Sequence, residues 1–364
     1  MSIGIRAPGM YIQGVGELSK LGFHARKLGE RFFVLCTNTT WDRLGAVVEE
    51  SLRSMDKDSV FWDFGGLCTW DEVERVRAAY EASGCDVLVG MGGGRVIDTV
   101  KAVSDRLGGC PVAAIPTVAS TAAPCSDVSV LYDDSGVGVR VQLTRSHTDL
   151  VLVDTEVIAR SPARFLAAGM GVALSTWFET RAFRGSGAHN QEQLSCSHAV
   201  FHMTRLTYQL LLQDGIPALR AVEHNECDQH LENVLEACFY LTGVSVASGG
   251  LAAAHAISDG LARLPGAERM FYGERVAFGV LVQLVLEDTS KEQWEEVFAF
   301  CKAVGLPTNL MELGVEQLDP AALLQVGEIA CEAGRTMDNL RPGVTPEEVR
   351  RAILRVDEIG RRYG

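Results

Sequence analysis

The stretch DVLVGMGGGRVIDTVKAV, residues 86–103, decides the fold class. Its first half is a short run of apolar residues, which is typical of a buried β-strand. In its second half Val96, Val100 and Val103 follow the i, i+4, i+7 spacing of one helix face. Three glycines separate the two halves. The stretch therefore predicts a strand, a tight turn and a helix.

The glycine turn predicts a site for a phosphate or pyrophosphate. Gly92, Gly93 and Gly94 let the backbone approach a ligand, and the free N–H groups of the following helix point at it. A plain tight turn also needs glycine, so this alternative stays open. The spacing differs from the GxGxxG of the usual dinucleotide fold.

Apolar runs alternate with amphipathic stretches only in the first part of the chain. The pattern predicts an α/β N-terminal dinucleotide-binding domain with a parallel sheet, residues 1–161. From Pro162 onward the periodicity is helical, which predicts an all-α C-terminal domain, residues 162–364. The cleft between two such domains is the expected place for a ligand. The predicted strands are the runs at 31–36, 86–91, 110–116, 127–132 and 149–154.

Two polar loops follow predicted strands and are candidates for cofactor contacts. Thr117, Ser120 and Thr121 carry hydroxyls that fit a nicotinamide, a ribose or a phosphate, or simply a polar loop. Thr37 and Asn38 follow the run at 31–36, where a carboxylate would bind the ribose 2′-hydroxyl of NAD. Because no carboxylate stands there, both NAD and NADP remain open as cofactors.

The composition excludes several other classes of protein. The 364 residues carry a formal net charge of −14, which argues against binding nucleic acid or an anionic membrane surface. The first residues have no apolar segment typical of a signal peptide. The ten cysteines are scattered without a Cys-x-x-Cys pair, so we expect reduced thiols in a cytoplasmic protein.

Several blocks of the sequence resemble one family over nearly the whole chain. GMGGGRVIDTVKAV (90–103), PTVASTAAPCSD (116–127), AAGMGVALSTWFETRA (167–182) and SGGLAAAHAISDGL (248–261) are similar to the glycerol dehydrogenase-like branch of the iron- or zinc-containing alcohol dehydrogenases, which share the dehydroquinate synthase fold. The resemblance implies a nicotinamide cofactor, a small-molecule substrate, a divalent metal and a homo-oligomer, a dimer or larger. The cofactor contacts that it implies are Gly93, Gly94, Asp98, Thr117, Ser120 and Thr121.

The chain departs from this family where the resemblance places the metal ligands. Val172 stands in place of an aspartate, and Tyr272 stands in place of a histidine. His255 is retained, while Ala122 replaces a carboxylate near the substrate. Because a catalytic zinc needs about three protein ligands, we expect no metal in this chain. His198 and His202 lie four residues apart, which places both imidazoles on one helix face, as in metal-binding helices. A rebuilt metal site there stays open, but this pair alone is a weak signal, and we favour hydrogen bonds between helices.

The remaining polar groups suggest how a cleft without a metal would work. His255 and Tyr272 are predicted to be catalytic, as a proton donor or relay, although Tyr272 also fits a purely space-filling role. Arg140 and Arg145 are predicted to bind an anionic substrate, with Val172 lining the same site. The alternative for the arginines is the exposed surface of a hairpin.

These expectations lead to one main function and three alternatives. The main prediction is a metal-independent NAD(P)H-dependent oxidoreductase that reduces an imine or a conjugated double bond of an anionic small molecule in biosynthesis. A non-redox lyase, dehydratase, isomerase or cyclase is the first alternative. A metal-dependent polyol or alcohol dehydrogenase is the second. A binding protein with an inactive site is the third.

Overall fold

The computed structural model describes residues 2–133, 136, 138–145, 147–190, 193–317, 319–332, 334 and 336–363. In this part of the chain a six-stranded parallel sheet has the order β1-β8-β5-β4-β2-β3. Its strands are β1 (Tyr11–Gly14), β2 (Arg31–Cys36), β3 (Asp58–Asp63), β4 (Val87–Gly92), β5 (Val112–Pro116) and β8 (Leu150–Asp154). A separate antiparallel pair consists of β6 (Val128–Tyr132) and β7 (Gly138–Leu143).

The inner strands of the parallel sheet are buried on both faces. Every residue of β4, β5 and β8 is buried, which explains why these strands read as continuous apolar runs. The predicted run at 127–132 behaves differently. It forms β6, in which buried and half-buried residues alternate, and it pairs with β7 outside the parallel sheet.

The helices of the first 160 residues lie between strands or directly after the last strand. They are α1 (Leu21–Ala25), α2 (Asn38–Arg53), α3 (Trp70–Ser83), α4 (Gly94–Arg106) and α5 (Thr155–Ala159). The later helices are α6 (Ala163–Ser186), α7 (His198–Glu223), α8 (Gln229–Glu236), α9 (Thr242–Ser248), α10 (Ala253–Leu261), α11 (Tyr272–Leu286), α12 (Lys291–Ala303), α13 (Pro320–Ala330) and α14 (Pro346–Tyr363). The predicted fold class, an α/β domain with a parallel sheet and a helical remainder, is confirmed.

The chain divides into two compact units. The sheet unit contains residues 6–162 and 220–247, and the helical unit contains residues 163–219, those from 248 onward, and the N-terminus up to Ile5. Residues 220–247 join the sheet unit through Glu232 of α8, whose carboxylate accepts hydrogen bonds from Gln13 and Thr155. The division into 1–161 and 162–364 stays a prediction.

No single helix among the described residues has the length and apolar character needed to cross a membrane. A bent pair of segments, 229–248 with 253–261, meets that test by length and composition only.

Candidate functional site

One candidate site lies at one edge of the sheet unit. Since neighbouring strands are parallel, their carboxyl ends meet at the same edge, here called the carboxyl edge. Strands β2, β3, β4 and β5 end there with Cys36, Asp63, Gly92 and Pro116. Gly92 pairs in register with Pro116, and Cys36 pairs with Asp63. In open parallel sheets this is the edge at which ligands bind.

The glycine turn begins helix α4 as the sequence predicts. Gly93 is the N-cap residue, with φ −79° and ψ −176°, and no side chain caps the helix. The first turn of α4 therefore keeps N–H groups that can meet an anionic ligand. Arg95, which the sequence analysis did not select, places its guanidinium 5.1 Å from the centre of the Tyr132 ring and adds a positive charge beside the turn.

The Ser/Thr loop lies directly against the glycine turn. The backbone N–H of Thr117 donates to the carbonyl of Gly92 at 3.1 Å. A β-carbon placed on Gly94 would come within 2.8 Å of the Thr121 hydroxyl. Thr117, Ser120 and Thr121 are all half-buried. The structure thus brings together the glycines and the hydroxyls that the sequence assigned to a cofactor.

Asp98 is engaged inside the protein. Its side chain is 8% exposed, lies 3.0 Å from Nζ of Lys101 and accepts a hydrogen bond from the backbone of Val130. Burial raises the pKa of Asp98, although Lys101 opposes this effect. Lys101 also donates to the carbonyls of Ala123 and Val128. This buried pair supports the loop after β5, and whether Asp98 also touches a cofactor stays a prediction.

The residues after β2 have a partner that the sequence analysis missed. Thr37 caps helix α2, and its hydroxyl accepts from the backbone N–H of Thr40 at 3.3 Å. The backbone N–H of Asn38 donates to Oδ1 of Asp63 at 3.0 Å. A carboxylate therefore lies beside the Thr37–Asn38 corner, although it comes from the neighbouring strand β3. In the sequence, the only indication of this carboxylate was the acidic residue at the end of the run 58–63.

The arginine-rich strip lies on and after the β6–β7 hairpin. The side chain of Arg140 lies outside the described part of the structure. Arg145 is 74% exposed in its side chain and approaches Asp105 at 3.7 Å, a geometry that fits a hairpin surface. Both ring nitrogens of His147 are buried without a hydrogen-bond partner, and burial lowers the pKa of this imidazole to about 4. The role of the two arginines in binding an anion stays a prediction.

A second candidate site lies in the helical unit, where three helices pack closely. Helix α11 crosses α6 at Gly273, where a β-carbon would lie 1.8 Å from the carbonyl oxygen of Ala168. The same helix meets α10 at Gly279, where a β-carbon would lie 2.5 Å from the carbonyl oxygen of Ala254. Because only glycine permits these approaches, Val172 on α6, His255 on α10 and Tyr272 on α11 come from helices in direct contact.

His255 is held by a carboxylate that the sequence did not reveal. Nδ1 of the imidazole faces Oε2 of Glu179, a fully buried residue of α6. Oε1 of Glu179 accepts from the backbone N–H groups of His255 at 3.0 Å and Ala252 at 2.9 Å. Burial alone would lower the pKa of His255, but the charge and hydrogen bond of Glu179 outweigh it and raise that pKa. The same pairing outweighs burial at Glu179 and lowers its pKa.

Tyr272 stands next to this pair at the first residue of α11. Its ring centre lies 5.8 Å from that of His255, with the planes at 64°. Tyr272 is 38% exposed, whereas Val172 is buried at 4%. The two predicted catalytic residues are therefore neighbours.

Ala122, which stands where the family has a carboxylate near the substrate, is buried in the sheet unit.

Among the described residues of the helical unit, the donor atoms do not form a three-ligand metal set. His255 is oriented through Nδ1, as metal-binding imidazoles usually are, which leaves Nε2 available. Val172 has no donor atom, and no group of three or more His, Cys, Asp or Glu side chains suited to a metal occurs within the described residues. His198 and His202 are exposed, and Nδ1 of His198 lies 3.2 Å from Arg184. The residues present thus do not fit the metal that the family implies.

The chain is similar to known dehydrogenases over its full length. The model of the family described as iron-containing alcohol dehydrogenase matches residues 8–155. A glycerol dehydrogenase of Escherichia coli O6:H1 is 42% identical over 99% of this chain and 98% of that protein. A glycolaldehyde reductase of Halobacterium salinarum is 38% identical over 98% of each. The crystal structure of a probable glycerol dehydrogenase from Sinorhizobium meliloti 1021 has a TM-score of 0.93 and 37% identity, covering 99% of this chain and 100% of that one.

These similarities contradict two predictions from the sequence. The main prediction, a metal-independent reductase of an imine or conjugated double bond in biosynthesis, is wrong, because the relatives favour the polyol dehydrogenase alternative. The non-redox alternative has no support among them. The expectation of no metal is also contradicted, because the family is described as iron-containing. The prediction rested on a few substituted positions, Val172 and Tyr272 among them, whereas the relatives match nearly the whole chain.

The family assignment rests on agreement between sequence and fold. The relatives match the chain from end to end, and the fold matches the crystal structure with both the parallel sheet and the helical remainder included. The retained glycine turn lies inside the segment that the family model matches. The chain therefore belongs to the iron-containing alcohol dehydrogenase family, in its glycerol dehydrogenase-like branch, and is an oxidoreductase.

Proposed function

We propose that the protein is a nicotinamide-dependent dehydrogenase of a small polyol such as glycerol, which also reduces the corresponding small carbonyl compound. The observation that carries the proposal is the 42% identity to a glycerol dehydrogenase over 99% of the chain. The similarity to a glycolaldehyde reductase supports a small hydroxylated carbonyl compound as the substrate of the reverse reaction.

The carboxyl edge of the sheet unit would bind the cofactor. Gly92, Gly93 and Gly94 would hold the pyrophosphate with the N–H groups at the start of α4, because no side chain caps that helix. The hydroxyls of Thr117, Ser120 and Thr121 would bind the ribose or nicotinamide part. The Thr37–Asn38 corner would face the ribose of the adenosine part.

His255 and Tyr272 would act on the substrate hydroxyl. A nicotinamide held by the glycine turn and the Ser/Thr loop would supply the acceptor for a hydride from the carbinol carbon when the alcohol is oxidised. In the same direction Nε2 of His255 accepts the proton of that hydroxyl, since Nδ1 is held by Glu179, and a carbonyl compound leaves. In the reverse direction Nε2 returns the proton to the carbonyl oxygen. The phenol of Tyr272 lies against the imidazole and would orient a second substrate hydroxyl.

The test is formation of reduced cofactor from NAD⁺ or NADP⁺ with glycerol, in buffer that contains Zn²⁺ or Fe²⁺ so that the metal of the family is supplied. We expect turnover with glycerol or another small polyol, and oxidation of the reduced cofactor with dihydroxyacetone or glycolaldehyde. The variant H255Q should lower kcat by about 100-fold or more. The variant H202Q, which changes an exposed histidine of the same unit, should not. No turnover in either direction with any of these compounds would refute the proposal.

We also propose a cytoplasmic location and a homo-oligomer, a dimer or larger. The location is supported by the ten cysteines, all of which are free thiols. The oligomer rests on the resemblance to the family, and light scattering of the purified protein tests it. A particle mass close to the 39.4 kDa of one chain would refute the oligomer.

A further inference from the structure

The residues at the carboxyl edge indicate which nicotinamide cofactor the protein binds. This inference rests on the proposed function and refines it. NAD and NADP differ only at the ribose 2′ position, a hydroxyl in one and a phosphate in the other. In sheets of this type a carboxylate at the end of the strand beside the glycine turn accepts a hydrogen bond from the 2′-hydroxyl. Here that strand is β2, which pairs with β4, and Thr37 follows it. Thr37 has no charge, and its hydroxyl caps α2.

The missing carboxylate is supplied by the next strand. Asp63 ends β3 and pairs in register with Cys36, the last residue of β2. The backbone N–H of Phe64 donates to the carbonyl of Cys36 at 3.0 Å, so the two strand ends stay joined. Oδ1 of Asp63 accepts from the N–H of Asn38 at 3.0 Å, which turns the carboxylate towards the start of α2. The acidic group thus lies at the corner where a carboxylate after β2 would lie.

The charges around this corner suit a hydroxyl better than a phosphate. Arg75 donates to the carbonyl oxygen of Asp63, but Nε and Nη2 of its guanidinium also bind the Glu72 carboxylate at 2.7 Å. This cation is therefore already paired with an acid. A 2′-phosphate placed beside Asp63 would meet a like charge, whereas a 2′-hydroxyl would meet an acceptor.

We propose that Asp63 accepts the 2′-hydroxyl of the adenosine ribose and makes the protein select NAD over NADP. The specificity-determining residue is then on β3, one strand away from its usual place. Asp63 is exposed at the end of its strand, so a ligand can reach it.

The experiment is a fluorescence titration of the purified full chain with NADH, NADPH and 2′-deoxy-NADH. We expect the wild type to bind NADH at least about tenfold more tightly than either of the other two. In D63N the preference for NADH over NADPH should shrink by about tenfold or more. The asparagine side chain keeps an oxygen that can accept from the backbone N–H of Asn38, so the hydrogen bond at the first residue of helix α2 is retained. The control D58N removes the same charge at the opposite end of β3, where residue 58 is also exposed, and should leave all three affinities unchanged.

The outcomes separate the inference from the proposed function. A wild type that binds neither NADH nor NADPH refutes the proposed function. A wild type that binds NADPH as tightly as NADH refutes only the role of Asp63 and not the proposed function. An unchanged preference for NADH over NADPH in a folded D63N does the same. If D63N does not fold, the wild type decides by itself: equal affinity for NADH and 2′-deoxy-NADH refutes the role of Asp63, and weaker binding of the deoxy compound supports it.

Discussion

The carboxylate of Glu179 accepts hydrogen bonds from both the side chain and the backbone of His255. Glu179 lies on α6 and His255 near the start of α10, and both side chains are nearly or fully buried. The contact therefore fixes the imidazole and also joins two helices of the helical unit. It leaves Nε2 as the nitrogen available to a ligand or a substrate.

Removing one member of this pair should destabilise the protein strongly. We expect E179A to lower the free energy of unfolding by about 3 kcal/mol, because an imidazole that is paired in the wild type is left buried without its acceptor. In a double-mutant cycle, E179A combined with H255A should cost clearly less than the sum of the two single changes. Urea unfolding followed by circular dichroism measures all four proteins. Additive losses would contradict a direct interaction.

The buried Lys101 should be needed to stabilise the loop after β5. In K101M the carboxylate of Asp98 loses its cation in a buried site, and we expect a loss of about 3 kcal/mol in the free energy of unfolding. The double variant D98N/K101M removes both charges and should regain part of that stability. Thermal and urea unfolding would reveal both effects. A K101M protein as stable as the wild type would show that the pair contributes little.

A methyl group in the glycine turn should weaken cofactor binding more than folding. The backbone angles of Gly93 are open to alanine, and a β-carbon there would meet only the side chain of Val118, at 3.4 Å. We expect G93A to change the free energy of unfolding by less than about 1 kcal/mol. Its affinity for NADH should fall by about tenfold or more, because the phosphate approaches this backbone.

The matched control for this variant is G185A. Gly185 lies in helix α6, and a β-carbon added there would have no atom within 4 Å outside its own stretch of helix. Alanine should stabilise this helix by up to about 1 kcal/mol and leave the NADH affinity unchanged. If G93A binds NADH as well as G185A does, the glycine turn does not hold the cofactor.

His147 should make the stability of the protein depend on pH. Its pKa is about 4 in the folded protein because of burial, against an ordinary value near 6.5 in the unfolded chain. Between these two values the unfolded chain binds a proton that the folded protein does not, so stability falls as the pH falls from 6.5 to 4. After a discount for partial exposure, the loss is about 2 kcal/mol.

The variant H147Q isolates this effect. The difference in unfolding free energy between pH 7 and pH 4.5 should be smaller in H147Q than in the wild type. The variant H202Q, which changes an exposed histidine, should follow the wild type. An equal pH dependence in H147Q and the wild type would show that His147 is not the responsible group.

The central strands were predictable because burial on both faces leaves a continuous apolar run, as in β4 and β8. Strand β1 has only four residues, all half-buried, and β3 is acidic at both ends, so neither has that signature. Periodicity also does not show which sheet a strand joins. The apolar run at 127–132 therefore did not reveal that β6 pairs with β7 in a separate hairpin.

Without the family resemblance, which placed His255 and Tyr272 together, the candidate site was predictable only where its residues are close in the sequence. The glycine turn and the Ser/Thr loop are each continuous stretches, and the structure brings them together. Glu179 and His255 are separated by 76 positions, and Asn38 and Asp63 by 25. No spacing rule connects such residues, because their contacts depend on helix packing and strand order.

The most direct test of the proposed function is transfer of deuterium from glycerol that carries deuterium on all its carbons. With NAD⁺ and the purified protein, mass spectrometry should find NADH that has gained one deuterium. Unlabelled glycerol in D₂O should give NADH without it, because the hydride passes directly from carbon to carbon. Unlabelled NADH from the deuterated glycerol, or no NADH from any small polyol, would contradict a polyol dehydrogenase.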